Sequence, residues 1–311
     1  VKLARPDLFH PRIVLAACPA LPTSDGDDDG LIAALRTRGL HARWLSWDDP
    51  ATLEADVVIL RATWDYIERL DEFLAWTGRV RHLLNGPAVV AWNTDKHYLV
   101  DLAERGVPTV PTAYFTATDT VEIPAGEVVV KPAVGGGSVG AQRFRDRDAA
   151  AAHAEQLQAQ GRAVLVQPYD GGVEYGETAL VFLGGQRSHA FTKAAILPPA
   201  GPPEFDESGT YALETLGPAE PDVELWDLGY AALNAAAAVI GIERSEFLYA
   251  RVDVIGDHRD ARVLEVELVE PSLGFRQLDA ATRAGCERDF AVAVESALER
   301  LGLGPLSHRR P

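Results

Sequence analysis

The order of apolar runs across residues 12–84 restricts the fold more than any other feature of the chain. RIVLAA (12–17) has the composition of a buried strand. A polar loop, CPALPTSDGDDD, leads into a short amphipathic helix, GLIAALRTRG, that ends at Gly39, and HARWLSW and ADVVILRA supply two more strands. Leu70–Leu84 reads as a further helix. Strands separated by helices in this order imply a small open parallel sheet. Ligands of such sheets sit beyond the carboxyl ends of the strands, which puts residues 18–29 and the stretch RATWDY (61–66) at the ligand edge.

The remainder of the chain changes character. Asn93 or Thr94 is placed to cap a helix running to Arg105, Gly106 ends it, and Pro108 and Pro111 enforce an extended exit. A strand at 127–131, a glycine loop, a helix at 149–160 and a strand at 163–169 follow, in a mixed, antiparallel arrangement. TALVFLGG and QRSHAFTKA predict a hairpin turning at Gly184-Gly185. A proline-rich loop (197–222), the helical stretch WDLGYAALNAAAAVIG, strands in FLYARVDVI and ARVLEVELVE, and a helix from about Ala281 to Leu301 complete the reading. The expected division is 1–92, 93–166 and 167–311.

Two stretches carry the chemistry. In VVVKPAVGGGSVGA (128–141), Lys131 ends a β-branched strand, and Gly135, Gly136, Gly137 and Gly140 leave backbone bare enough to approach a ligand. That geometry suits a polyphosphate, whose oxygens accept hydrogen bonds from exposed N–H groups. A Walker loop is excluded because its lysine follows the glycines. Residues 135–140 fit the letters of a dinucleotide fingerprint, but AQRFRDRD beyond them has little apolar helix face. A plain glycine-rich hairpin with a solvated lysine is the other reading.

In LYARVDVIGDHRDARVLEVELVEP (248–271), Asp253 lies in one strand, and after a turn at Gly256–Asp260 Glu265 and Glu267 lie two apart in the next, on one face. Three like charges at one place call for a cation. Mg²⁺ is the natural candidate, being a hard ion held by a few carboxylates plus phosphate oxygens; a solvated acidic strand face is the alternative. Glu270, counted along the strand, falls on the apolar side and marks the strand's end before Pro271.

The net charge of −17 argues against nucleic acid or an anionic membrane as partner and leaves a small soluble ligand. Only four of the 29 basic residues are lysine (Lys2, Lys96, Lys131, Lys193), so each lysine invites an individual explanation as a point charge toward phosphate. Cys18 and Cys286 read as free thiols, no stretch approaches ~20 consecutive apolar residues, and the expected location is cytoplasmic. Asp25, Asp27, Asp28 and Asp29 are placed to favour the N-terminus of the helix that follows.

In order, WNTDK, VVVKP, the glycine loop, LVQPY, YGET, ARVD and LEVELVEPSLGF resemble the ATP-grasp superfamily of carboxylate–amine ligases over about residues 12 to 290. The resemblance implies an α/β chain with an N-terminal Rossmann-like domain and two α+β subdomains sandwiching ATP. Lys96 and Lys131 would contact the phosphates, and Gly136, Gly137 and Ser138 would cover them. Gln167, Pro168 and Tyr169 would line the adenine, with Glu174 or Glu177 on the ribose. Asp253, Glu265 and Glu267 would bind Mg²⁺, although many members carry asparagine where Glu267 stands. Lys193 and Arg251 are the candidates for γ-phosphate and acyl-phosphate charge.

RATWDY, WNTDK, the GET-to-SHAFTK hairpin and LEVELVEPSLGF look most like the bacterial branch that includes the cyclo-ligase of D-cycloserine biosynthesis. That likeness implies activation of an amino-acid carboxylate as an acyl phosphate, followed by attack from a nitrogen of the same molecule. For the small amino-acid-like substrate, Arg61 is expected to meet a carboxylate, Asp65 an ammonium, and Thr63 and Tyr66 to offer hydroxyls. The 197–222 loop is long enough to serve as a lid. An intermolecular ligase, an NAD(P)-dependent oxidoreductase and a non-catalytic binding protein are the rival readings. A homo-oligomer is possible.

Overall fold

A computed structural model describes residues 10–199, 201–205 and 212–304. The first unit contains β1 (Ile13–Ala17), α1 (Leu31–Thr37), β2 (Ala42–Ser46), β3 (Val57–Ala62), α2 (Leu70–Thr77) and β4 (Leu83–Leu84). Its strands form a parallel sheet in the order β2-β1-β3-β4. Both faces are covered, which is why the strands read as continuous apolar runs. Ile13, Leu15, Val57 and Ile59 share a core with α1, while Val14, Ala16, Val58 and Leu60 pack with Trp47, Phe73 and Trp76.

Two expectations are corrected here. The helix expected over 70–84 stops at Thr77, because Leu83 and Leu84 pair with Val58 and Ile59 at the open edge of β3. The helix expected over 93–105 is two helices, α3 (Pro87–Asn93) and α4 (Tyr98–Glu104). Neither Asn93 nor Thr94 caps α4, whose N-cap is His97 with no side-chain bond. Pro87 starts α3 at a position where its missing N–H costs nothing.

The second sheet contains β5 (Ala113–Phe115), β6 (Val128–Pro132), β7 (Gln142–Phe144) and β8 (Val164–Pro168), with α5 (Arg147–Ala159) packed on it. It is antiparallel, in the order β5-β8-β6-β7. Asp146 caps α5 by accepting from the N–H groups of Asp148 and Ala149. A strand, rather than a helix, therefore follows the glycine loop.

The third sheet is antiparallel too and runs β11-β10-β9-β12-β13. Its strands are β9 (Glu177–Leu183), β10 (Gln186–Lys193), β11 (Leu216–Pro218), β12 (Tyr249–Ile255) and β13 (Arg262–Glu267). At the β9–β10 turn Gly184 and Gly185 both take positive φ, +58° and +73°, the conformation a two-residue hairpin requires. One face is covered by α6 (Val223–Ile240) with α4, through Leu180, Phe182, Val252 and Val254. The 18 residues of α6 are apolar enough to cross a bilayer, yet Leu225, Gly229, Leu233 and Ala236 are buried in this core. The other face meets α7 (Ala280–Arg300), whose Phe290, Val294 and Leu298 lie in the same core as Ile13 and Leu15 of the parallel sheet.

Candidate active site

A cleft of about 610 Å³ opens between the sheets. Its walls take Lys131 and the glycine loop from the second sheet, Glu177, Lys193, Arg251, Glu265 and Glu267 from the third, and Lys96 from the segment between α3 and α4. Residues far apart in sequence thus meet at one place.

Lys96 is fixed at both ends. Its backbone N–H donates to Ala133 at 2.8 Å, and its ammonium donates to the carbonyl of Gly135 and pairs with Glu265 at 3.0 Å. Burial works against the charge, but Glu265 outweighs it and the Lys96 pKa rises. Lys131 lies in the same wall with no carboxylate at ion-pair distance among the described residues, and burial pulls its pKa down. In the glycine loop Gly137, Ser138 and Gly140 all adopt positive φ. A Cβ on Gly136 would come within 3.1 Å of Ile67, so the loop also sits tightly on the first unit.

Opposite stands the acidic hairpin. The β12–β13 register sets Arg251 against Glu267 and Asp253 against Glu265. One carboxylate oxygen from each of Asp253, Glu265 and Glu267 lies within 4.8 Å of the others. Lys193 bridges Glu177 (2.9 Å) and Asp253 (2.7 Å). Arg251 donates two bonds to Asp253 at 2.9 and 3.0 Å, one to Glu267 at 2.5 Å and one to the carbonyl of Ser272 at 3.0 Å.

These contacts divide the carboxyl groups. Burial alone would raise Asp253, yet Arg251 and Lys193 hold it down to about 2. Burial is likewise outweighed at Glu265, which Lys96 and Lys131 keep below its ordinary range. Burial wins at Glu267, which is pushed up to about 7 against the pull of Arg251, with Glu265 and Asp253 adding to the push. A compact set of oxygens carrying this much negative charge fits a hard divalent cation better than an exposed acidic face would.

At the far end of the cleft Gln167, Pro168 and Tyr169 line the wall where β8 ends. The Gln167 amide donates to Thr112 at 2.9 Å, and Arg143 lies 3.4 Å over the Tyr169 ring. Glu174 is not among the cleft's lining residues and is bound by Arg143 and by the Tyr169 hydroxyl, whereas Glu177 faces the cleft but is engaged by Lys193. From the 197–222 loop, Leu197, Leu213 and Leu216 line the cleft, and the Ala212 N–H donates to the Gly137 carbonyl at 2.9 Å. The loop's middle, 206–211, lies outside the described residues.

Of the four residues expected to select the substrate, the structure brings only Tyr66 to the cleft. Arg61 is buried beneath, its fork donating to Asp28 at 2.9 and 3.1 Å and to the Pro271 carbonyl at 2.9 Å. Asp65 accepts from Trp47 at 2.7 Å and pairs with Arg69 at 3.5 Å. Thr63 is fully buried. No acid lies in the first turn of α1 or caps it by a side-chain bond. Asp27 instead accepts from the N–H groups of Leu273 (3.1 Å) and Arg276 (2.9 Å), fastening the segment after β13. Both cysteines are buried free thiols.

Glu270 is the cleft residue that strand counting misplaced. β13 ends at Glu267, so the alternation no longer applies three residues on, and the Glu270 side chain turns into the cleft against the Tyr66 hydroxyl. Burial and Glu267 push its carboxyl up to about 8.

Comparison with known proteins agrees with this architecture. Residues 13–85 match the family model for the N-terminal domain of D-cycloserine synthetase DcsG. The cycloserine biosynthesis protein DcsG of Streptomyces lavendulae is 35% identical, in an alignment covering 81% of this chain and 88% of that protein. The crystal structure of D-cycloserine synthetase DcsG superposes with a TM-score of 0.80 at 31% identity, covering 93% of this chain and 99% of that one. A D-alanine–D-alanine ligase from Bacillus anthracis, complexed with ATP, has the same fold, with a TM-score of 0.62 at 14% identity over 94% and 98% of the two chains.

Proposed function

Because the chain belongs to the D-cycloserine synthetase DcsG family, and so is an ATP-dependent ligase that forms C–N bonds, we propose that it closes O-ureido-D-serine into the isoxazolidinone ring of D-cycloserine. The observation that carries the reading is the meeting of Lys96, Lys131, Lys193 and Arg251 with the Asp253, Glu265 and Glu267 cluster around one cleft. When bound, ATP would supply the phosphoryl group that turns the substrate carboxylate into an acyl phosphate, with ADP leaving, and Mg²⁺ would neutralise phosphate charge.

The chain's own groups do the rest by charge and position. Lys96 and Lys131 face the phosphates, with Gly136, Gly137 and Ser138 as the backbone cover, and Gln167–Tyr169 hold the base. Glu177 orients Lys193. Asp253, Glu265 and Glu267 are the residues that would hold Mg²⁺; Asp253 is kept ionised by its two cationic partners, and Glu265 by Lys96 and Lys131. The Arg251 fork, fixed by Asp253 and the Ser272 carbonyl, is placed to take up negative charge as it develops at the activated carboxylate. Burial of the substrate then brings its own nitrogen to the carbonyl, and an intramolecular attack of this kind gains a large effective molarity; the new N–C bond forms as phosphate leaves, and the carbamoyl group on that nitrogen is lost with water as carbon dioxide and ammonia. Arg61, Thr63 and Asp65 are assigned to holding the first sheet's ligand edge in shape.

The test is incubation of the protein with ATP, Mg²⁺ and O-ureido-D-serine. Ring product in step with ADP is the expected result. Phosphate release without ring product would reject cyclisation, and a dipeptide formed from added amino acids would point to an intermolecular ligase.

A further inference from the structure

Among the acids that β9, β13 and the segment just after β13 bring to the cleft, Glu270 differs in its partners. Among the described residues Glu177, Glu265 and Glu267 each have a lysine or arginine at ion-pair distance, and Glu270 has none. It is not in the cluster whose oxygens lie within 4.8 Å of one another. Its carboxyl rests against the Tyr66 hydroxyl, and its carbonyl accepts from the Trp64 indole at 3.2 Å, so two aromatic side chains flank it on the cleft wall. A carboxyl with no cation at ion-pair distance, seated beside aromatic rings in a ligand cavity, is an arrangement that receives an ammonium group, whose charge favours the ionised form.

We propose that Glu270, oriented by Tyr66 and flanked by Trp64, binds the α-ammonium of the amino-acid substrate. This inference rests on the amino-acid ligase reading above. It gives the substrate two anchors of opposite charge: Arg251 at the end that becomes activated, and Glu270 at the amine. Two anchors fix which nitrogen is held away from the carbonyl and which is left to attack, so Glu270 is a specificity-determining residue. Asp65, expected from sequence to take this role, is engaged by Trp47 and Arg69 and does not line the cleft.

The experiment is calorimetric titration of the MgADP-loaded protein with O-ureido-D-serine and with its des-amino analogue. Wild type is expected to favour the amino compound by about 30-fold, the size of one hydrogen-bonded charge contact. Glu270→Gln keeps the shape of the side chain but removes its charge. It should bring both affinities to that of the des-amino compound while MgADP affinity stays unchanged and circular dichroism shows the fold intact. A wild type that does not discriminate, a variant that retains the preference, or a variant that loses MgADP affinity would each overturn the proposal, the last by showing a metal ligand instead. Ring formation is scored separately: a preserved Glu270 effect without ring product rejects cyclisation alone, and ring product without a Glu270 effect rejects the ammonium site alone.

Discussion

Among single residues, ionisation is divided unevenly within a small volume. Asp253 is held down to about 2, while Glu267 is pushed to about 7 and Glu270 to about 8. For the last two the folded chain favours the protonated form. Their stabilising contribution is therefore complete below the ordinary glutamate value of 4.5 and is lost as pH rises through about 7 and then 8. Without nucleotide the melting temperature should fall between about pH 5 and about pH 8.5, and Glu267→Gln should flatten part of that slope. On the assignment proposed above MgADP would need the ionised Glu267, so its affinity should strengthen as pH rises through about 7, with proton release visible as a buffer-dependent enthalpy in calorimetry. The sequence showed these acids wherever local alternation settled their side, as for Glu265 and Glu267. It hid Glu270, past the end of the strand, and it hid the partners of Arg61 and Asp65, since no local pattern couples Arg61 to Asp28 or Asp65 to Trp47.

For individual elements, the outer edge of β13 is paired by the backbone of residues 108–110 at Val263, and farther along, beside Glu265 and Glu267, side chains take that place. The Val266 N–H donates to the Tyr98 hydroxyl at 3.2 Å, the Val266 carbonyl accepts from Asn93 at 2.8 Å, and the Leu268 N–H donates to Asn93 at 2.7 Å. Asn93 has the look of a helix cap in the sequence because caps and such bridges use the same short amide. Asn93→Ala leaves the Val266 carbonyl of β13 and the Leu268 N–H just past it unpaired, and it should cost about 2–4 kcal/mol by denaturant titration and weaken Mg²⁺-dependent nucleotide binding. Gly229 tests packing in α6. Gly→Ala in a helix ordinarily gains up to ~1 kcal/mol, but here the added Cβ would lie 2.7 Å from Phe182 and 3.0 Å from Leu180. Overpacking should prevail, so Gly229→Ala is expected to lower stability by about 1–3 kcal/mol with the ligand-binding residues untouched.

For the whole molecule, the parallel and antiparallel sheets were legible because strand length, glycine turns and intervening helices are local signals. Their mutual placement was not, since it depends on α7 and on buried contacts such as Tyr249 with the Leu60 and Val269 carbonyls. The cleft draws on all three sheets or their connections, so a ligand that fills it should stabilise the molecule globally. At about 100 times its dissociation constant, MgADP should add ~2.7 kcal/mol, a rise of several degrees in melting temperature, and NADH should add nothing. The reverse result would restore the oxidoreductase reading.

The division of apolar cores has a mechanical corollary. The first and third sheets share one core through α7, whereas the second sheet closes on α5 with a core of its own. The molecule thus has a fixed body and a single jaw, and the jaw holds Lys131 and the glycine loop. A swing of that jaw about its two tethers, near residues 111–112 and 169–170, would open the cleft while leaving the acidic hairpin at rest.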